Sequence, residues 1–240
     1  MFEVATSSII LPIIWGLFVY SFFRCQVSEW VCFLVVAIPG SVVTIKKLKH
    51  NIKEARTARL GFLGECAVAE QLAPLVTEGW RIYHDIPMGE HKTIFNIDHV
   101  AVGPGGVVAI ETKVFSKPRK HAGNGDALRI EGEMVRLPDG RSKNPLTQAK
   151  RQAVALRDVL RDAGIRIDFV HPLVVLPGWT VSYPKGASEN IRDPRNVVAW
   201  LKSLPFRDVS PKDRDAITLV LEKRCRNLRF DEDTRKVANN

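Results

Sequence analysis

The chain has 240 residues, with 45% hydrophobic residues, and its 35 Lys and Arg against 26 Asp and Glu give a formal net charge of +9. This length allows one sizeable core with appendages, and the basic balance favours an anionic partner such as nucleic acid or a lipid surface. The four cysteines form no Cys-x-x-Cys pair or Cys/His cluster. This pattern argues against a disulfide framework or a zinc site and favours reduced thiols in a cytosolic domain.

Two apolar stretches, separated by a short polar break, occupy the N-terminus. Val4–Phe23 is nearly uncharged and long enough to cross a bilayer, whereas Trp30–Ile45 is shorter and interrupted by Pro39-Gly40. We expect residues 1–45 to form a transmembrane helical hairpin, in which the second segment either spans or re-enters the membrane. A cleavable signal peptide is one alternative, although the first three residues lack a basic group. A buried soluble hairpin is the other.

A strongly basic segment, residues 46–59, follows the second apolar stretch directly. By the positive-inside rule, this flank and the whole domain after it are predicted to be cytoplasmic. We expect the segment to set membrane topology and to contact anionic lipid rather than to read nucleic acid. The predicted location is therefore a membrane, specifically the bacterial inner membrane, with the folded domain on the cytoplasmic side. The basic residues are Lys46, Lys47, Lys49, Lys53, Arg56 and Arg59.

A helix is predicted from Asn51 to about Leu72, with Leu60, Leu63 and Ala67 facing inward. Glu65 lies among small apolar residues of this helix, and a buried carboxylate is unfavourable unless it is paired or binds a cation. If the helix is rotated, Glu65 is simply exposed. The alternation of residues 80–88 then predicts a strand.

A β-hairpin is predicted next, because two apolar, β-branched runs flank the turn sequence Gly103–Gly106. If these four residues form the loop, Val102 lies opposite Val107 and Asp98 lies opposite Glu111. Directly opposed residues of an antiparallel pair have Cβ atoms about 5 Å apart, and like charges there are destabilising. The hairpin therefore brings two carboxylates together.

Lys113 projects from the same strand face as Glu111, because side chains alternate along a strand. Two carboxylates and a lysine thus converge on strands apolar enough to be central. A divalent cation would compensate the repulsion between Asp98 and Glu111. The alternative is a solvated strand end, with Glu111 and Lys113 forming an ordinary surface pair.

The remainder of the chain alternates between short strands and helices. Residues 128–137 suggest a small hairpin, and Asn144 followed by Pro145 is a typical helix start. The helix after it carries Gln148 in its first turns and continues to Gly164. A buried strand over residues 167–176, a loop over 178–194, helices over 196–204 and 211–226, and a frayed tail over 231–240 complete the prediction.

Three short motifs, in this order, resemble the NERD (nuclease-related) domain of the PD-(D/E)XK, restriction-endonuclease-like superfamily: Gly64-Glu65, Ile97-Asp98-His99 and Glu111-Thr112-Lys113. The glycine turn between the second and third motifs makes the set more specific than any one of them. The segment from Asn144 to Gln148 resembles a further stretch of that family. The resemblance covers about residues 60–160.

The resemblance implies metal-dependent hydrolysis of phosphodiester bonds with Mg²⁺ or Mn²⁺ as the cofactor, and Mg²⁺ typically takes only one or two protein carboxylates. In this scheme Lys113 orients or helps to deprotonate the nucleophile, and Gln148 helps to position the site. Glu65 holds a water of the cation or a second ion. The implied catalytic residues are Glu65, Asp98, Glu111, Lys113 and Gln148, and the implied metal ligands are Asp98, Glu111, the carbonyl of Thr112, and Glu65.

We therefore predict an α/β (α+β) protein with a restriction-endonuclease-like central mixed sheet flanked by helices, preceded by the transmembrane hairpin. Its parts would be residues 1–45 (hairpin), 46–59 (basic juxtamembrane segment), 60–176 (nuclease core) and 177–240 (C-terminal helical extension). The predicted function is a membrane-anchored nuclease with nucleic acid as partner, DNA being favoured over RNA. The alternative is a non-catalytic, membrane-tethered nucleic-acid-binding or sensor module, and a third option is a domain used only for assembly.

Overall fold

The computed structural model describes residues 13, 16, 20, 29–89, 95–117, 127–204 and 209–238. The chain divides into two compact units, Met1–Arg59 and Leu60–Asn240. The predicted apolar segment Val4–Phe23 lies outside the described residues, apart from positions 13, 16 and 20.

A long helix, α1 (Glu29–Leu72), contains the second predicted apolar segment and continues without a break through the basic residues. In the described part of the chain, no helix is both long enough and apolar enough to cross a bilayer. The predicted transmembrane hairpin therefore has no support from the structure. The apolar run Trp30–Ile45 contains Pro39 and ends at the lysines of positions 46 and 47, so it is shorter than the about 20 residues that a span requires.

The described residues form nine strands in two mixed sheets. The strands are β1 (Arg81–Met88), β2 (Phe95–Gly103), β3 (Gly106–Thr112), β4 (Ala127–Glu131), β5 (Met134–Arg136), β6 (Ser142–Lys143), β7 (His171–Val175), β8 (Thr180–Ser182) and β9 (Ile191–Arg192). The larger sheet has the order β1-β2-β3-β7-β9, antiparallel from β1 to β3 and parallel from β3 to β9. The smaller sheet has the order β6-β5-β4-β8, with only β4 and β8 parallel.

Helices cover both faces of the larger sheet. Besides α1, the described residues form α2 (Leu146–Asp162), α3 (Pro194–Ser203), α4 (Pro211–Ala238) and a short 3-10 helix, Ala73–Glu78. One face packs against α2 and α4, and the other packs against the end of α1, the 3-10 helix and α3. All seven residues of β3 are buried, as expected for a strand covered on both sides. The predicted α/β class, with a mixed sheet flanked by helices, is confirmed.

The turn between β2 and β3 fixes the register on which the site depends. Val102 pairs with Val107 and Gly103 pairs with Gly106, as predicted. A Cβ at Gly103 would collide with the indole ring of Trp80, and Gly106 has φ +124°, so both positions require glycine. The paired ladder continues to His99 and Ile110.

Three predictions about local structure were wrong. Leu60 and Leu63 are 36% and 52% exposed, because the buried face of α1 consists of Gly64, Val68 and Leu72. The predicted loop over residues 178–194 contains β8 and β9, which are too short to show an alternating pattern. The predicted frayed tail is helical as far as Ala238.

Candidate active site

The ladder between β2 and β3 ends at the pair His99–Ile110. The next residues beyond this pair are Asp98 on β2 and Glu111 on β3. The Asp98 carboxylate turns toward β3, where its Oδ2 accepts a hydrogen bond from the Thr112 backbone N–H at 2.7 Å. Glu111 is only 3% exposed. The predicted convergence of the two carboxylates is therefore present, with Asp98 bonded to the backbone next to Glu111.

β2 also lacks a paired partner for Asp98 on its other side. The ladder between β1 and β2 pairs His84 with His99 and Ile86 with Ile97, but omits Asp85. Asp85 adopts φ +55°, a left-handed conformation that is uncommon for residues other than glycine. The ladders on both sides of β2 thus omit Asp98.

The carboxylate of Glu111 is held from two directions. The Lys113 ammonium donates to its Oε1 at 3.2 Å, and the side-chain amide of Gln152 donates to its Oε2 at 2.7 Å. Lys113 also donates to the Oε1 of Gln148 at 3.3 Å. The structure therefore brings Glu111, Lys113 and Gln148 into one hydrogen-bonded group.

The start of α2 positions both glutamines. Asn144 accepts a hydrogen bond from the backbone N–H of Thr147 at 3.2 Å, which satisfies one free donor of the first helical turn. Gln148 follows in that first turn, and Gln152 comes one turn later on the side that packs against the sheet. A helix started at this point therefore presents two amides to the end of β3.

Glu65 reaches the site because Gly64 allows α1 to approach β3 closely. A Cβ on Gly64 would collide with the side chain of Val114 and lie 3.1 Å from Pro177. Burial raises the pKa of Glu65 above its usual value, and the negative charges of Asp85 and Glu111 raise it further. Glu65 thus lies close enough to Asp85, Asp98 and Glu111 to interact with them electrostatically.

Asp98 has the most strongly shifted pKa of these carboxyl groups. Burial, followed by the charge of Glu111, raises its pKa to about 7, although the hydrogen bond from Thr112 and the charge of Lys113 act in the opposite direction. One lysine therefore does not neutralise the negative charge of the site. A cation bound beside Asp98 would lower this pKa.

The donor set of this patch fits Mg²⁺ or Mn²⁺, which prefer carboxylate and other oxygen ligands. Within the described ranges, no group of three or more His, Cys, Asp or Glu side chains is arranged to hold a metal ion. Mg²⁺ needs only one or two protein carboxylates and keeps several waters, so Asp98 and Glu111 suffice as its protein ligands. The ligand role of the Thr112 carbonyl stays a prediction.

Gln152 is a site residue that the sequence-based prediction missed. It is 3% exposed and donates to Glu111, as well as to the backbone carbonyl of Asn96 at 3.3 Å. Its position gave a signal, since it is three residues after Ala149 and four before Leu156, and apolar residues at this spacing mark the inward face of a helix. A glutamine on the inward face of a helix needs a polar partner.

A histidine pair lies beside Asp98. The Nδ1 atoms of His84 and His99 are 2.7 Å apart, and His99 is 2% exposed. Burial, together with the nearby His84, lowers the pKa of His99 to about 4. His99 is therefore neutral near pH 7 and links β1 to β2 without adding positive charge to the site.

Residues 60–177 match the family model of NERD, described as the nuclease-related domain. The matched range contains every residue of the predicted site, and it confirms the resemblance seen in the short motifs. No curated protein and no solved structure gives a significant match to the chain.

Proposed function

We propose that this chain, which carries a nuclease-related domain over residues 60–177, is a metal-dependent nuclease that hydrolyses phosphodiester bonds, with DNA as the favoured substrate. We assign its domain to the PD-(D/E)XK, restriction-endonuclease-like superfamily. The motif Glu111-Thr112-Lys113 at the end of a buried central strand and Asp98 on the antiparallel neighbour support this assignment.

One observation carries the proposal: two carboxylates and a lysine meet where the β2–β3 ladder ends. Glu111 is buried and bonded to Lys113 at 3.2 Å, and Asp98 is fixed beside them by the Thr112 N–H. A buried carboxyl group with a raised pKa, such as that of Asp98, is found at functional sites more often than elsewhere. Asp98 and Glu111 share the single positive charge of Lys113, and the pKa of Asp98 stays raised. A purely structural ion pair between Glu111 and Lys113 does not explain this excess of negative charge.

Asp98 and Glu111 would hold the cation, and Glu65 faces the same patch from α1. A divalent cation bound there would polarise a phosphoryl oxygen and lower the pKa of a nearby water molecule. The protein's own part is to place negative oxygens on rigid strands and to keep them fixed before substrate binds. The hydrogen bonds from Thr112 and Gln152 perform that task for Asp98 and Glu111 respectively.

Lys113 supplies the positive charge that faces the substrate. Its side chain is 39% exposed, so the ammonium can contact a phosphate while Glu111 and the Oε1 of Gln148 hold it in place. A fixed ammonium stabilises the negative charge that develops on the phosphoryl group in the transition state. Gln148 orients Lys113, and we assign it a positioning role.

We further propose that the chain is anchored in a membrane, with the nuclease domain in the cytoplasm. The apolar sequence of Val4–Phe23 and the basic residues of 46–59 support this location. The substrate would then be nucleic acid that reaches the cytoplasmic membrane surface.

The test is a cleavage assay on the full-length protein with supercoiled plasmid, single-stranded DNA and RNA, in Mg²⁺, Mn²⁺ or EDTA. We expect cleavage with either cation and none in EDTA. Lys113→Ala should lower the rate at least about 100-fold, because it removes a donor that acts on developing charge. The matched control is Lys202→Ala, since Lys202 is an exposed lysine of α3 that pairs with Glu78 at 2.6 Å. The control should cut at the wild-type rate.

Cleavage that persists in EDTA or in Lys113→Ala would contradict the proposal. Retention of DNA without any product, weakening steeply as salt rises, would favour the non-catalytic binding module. Relative rates on DNA and RNA decide the substrate.

A further inference from the structure

Gln152 makes the shortest side-chain contact to Glu111, and no motif includes it. Its Nε2 lies 2.7 Å from Glu111 Oε2 and 3.3 Å from the carbonyl oxygen of Asn96. The side chain is 97% buried, since only 3% of it is exposed. It belongs to the inward face of α2, where its neighbours Ala149, Ala153 and Leu156 are apolar.

The orientation of this amide is determined by its neighbours. An ionised carboxylate and a backbone carbonyl can only accept hydrogen bonds. Rotating the amide by half a turn would place its Oε1 against both acceptors, so Nε2 must face Glu111 and Asn96. The Oε1 of Gln152 has no hydrogen-bond partner among the described residues. Only the N–H side of the amide is therefore used, and burial of its oxygen is unfavourable for stability.

We propose that Gln152 is a positioning residue that fixes Glu111 for cation binding. Its N–H bonds to Oε2 of Glu111, and the ammonium of Lys113 bonds to Oε1. The two donors together hold the carboxylate in one orientation, in which it would bind a cation. The anchor at Asn96 belongs to β2, so Gln152 also links the strand of Asp98 to the carboxylate of Glu111. The inference rests on the proposed function, because it assigns Gln152 a task in the same cation site.

The replacement that isolates this role is Gln152→Met, which keeps a similar volume and flexibility but has no N–H donor. Hydrogen-bond partners of metal ligands typically change metal affinity by about 10- to 100-fold when they are removed. We expect Gln152→Met to weaken Mn²⁺ binding at least about 10-fold. The matched control is Leu156→Met, a fully buried position one turn further along α2 that belongs to the apolar core.

Mn²⁺ binding is measured by titration calorimetry on the full-length protein without nucleic acid, and folding is checked by circular dichroism. In the cleavage assay, the Mg²⁺ concentration for half-maximal rate should rise by the same factor in Gln152→Met, while saturating Mg²⁺ restores most of kcat. If Gln152 had only a structural role, Gln152→Met and Leu156→Met would both lower the melting temperature, and neither would change the Mn²⁺ affinity or the Mg²⁺ dependence. If Gln152→Met does not fold, Gln152→Asn, whose shorter amide cannot reach Glu111, receives the same measurements.

The outcomes separate this inference from the proposed function. Wild-type protein that binds Mn²⁺ and cleaves DNA, with Gln152→Met binding Mn²⁺ equally well, overturns only the role of Gln152. Wild-type protein that neither binds Mn²⁺ nor cleaves overturns the proposed function and this inference together. Weaker Mn²⁺ binding in Gln152→Met but not in Leu156→Met supports it.

Discussion

Replacing Asp98 with Asn should stabilise the metal-free protein at alkaline pH. The carboxyl group of Asp98 is partly buried beside Glu111, and its pKa is raised from 3.8 to about 7. At pH 8 the folded protein therefore carries an ionised Asp98 in a partly buried patch. Asparagine removes the charge of this side chain and still offers an oxygen to the Thr112 N–H.

The magnitude follows from the difference in pKa between the folded and unfolded states. Because the folded protein holds its proton more tightly, the carboxyl group costs no stability below pH 3.8. The cost grows as pH rises to about 7 and is constant above it. One pKa unit corresponds to about 1.4 kcal/mol, so the full cost of the ionised form is at most about 4 kcal/mol. We expect Asp98→Asn to raise the free energy of unfolding by up to that amount at pH 8 and by almost nothing at pH 4.

The assay is urea unfolding in EDTA at pH 4, 6 and 8, followed by circular dichroism. His99 has a lowered pKa of about 4, so it destabilises the fold as pH falls below its unfolded value of 6.5, but it does so equally in both proteins. The matched control is Asp139→Asn, because the pKa of Asp139 is lowered by its hydrogen bonds from Arg141. That control should not stabilise the protein at any pH.

The reasoning is refuted if Asp98→Asn is less stable than wild type at pH 8, or if the difference between them does not depend on pH. A second arm tests the link to function. Mn²⁺ should stabilise wild-type protein at pH 8, because a ligand that binds only the folded state raises its stability. It should leave Asp98→Asn nearly unchanged.

Two further predictions concern the approach of α1 and the location of the chain. Gly64→Ala should lower the cleavage rate at least about tenfold, because the new methyl group must push α1 away from Val114 and a displacement of about 1 Å at a site has effects of that size or more. The control is Gly61→Ala, whose Cβ would meet nothing within 4 Å. It should cleave at the wild-type rate and be more stable by about 1 kcal/mol. A loss of activity in both variants would contradict the explanation. Full-length protein should sediment with membranes and resist an alkaline wash, whereas a version lacking residues 1–45 should not; full-length protein in the soluble fraction would contradict the anchor.

The central hairpin was predictable because its signals are local. The glycines of residues 103–106 define the turn, and the register then follows by counting outward, which correctly paired Val102 with Val107. The same counting brought Asp98 toward Glu111 and placed Lys113 on the face of Glu111, where the structure bonds it to that carboxylate. The length of a short turn fixes which residues of the two strands pair.

The orientation of α1 was not predictable from its own sequence. Leu60 and Leu63 suggested an apolar face, yet the helix packs through Gly64 and Val68. The reason lies just after β3: Gly64 lets the helix backbone approach Val114, and this close approach outweighs burial of the larger side chains of Leu60 and Leu63. Gln152 was missed for a similar reason, because its partners Glu111 and Asn96 are distant in sequence.

The charges of the site favour the proposed cation-dependent enzyme over a domain that only binds nucleic acid. A phosphate-binding surface requires excess positive charge, but Glu65, Asp98 and Glu111 outnumber Lys113 in this patch. Lys113 is already bonded to Glu111, and the pKa of Asp98 nevertheless remains about 7. Without a cation the patch would repel the phosphate that it faces. A divalent ion would neutralise the negative charge that Glu65, Asp98 and Glu111 leave after Lys113 is counted, and it would bind the ionised form of Asp98. Binding of nucleic acid at this site should therefore itself depend on the metal, which a non-catalytic basic surface would not require.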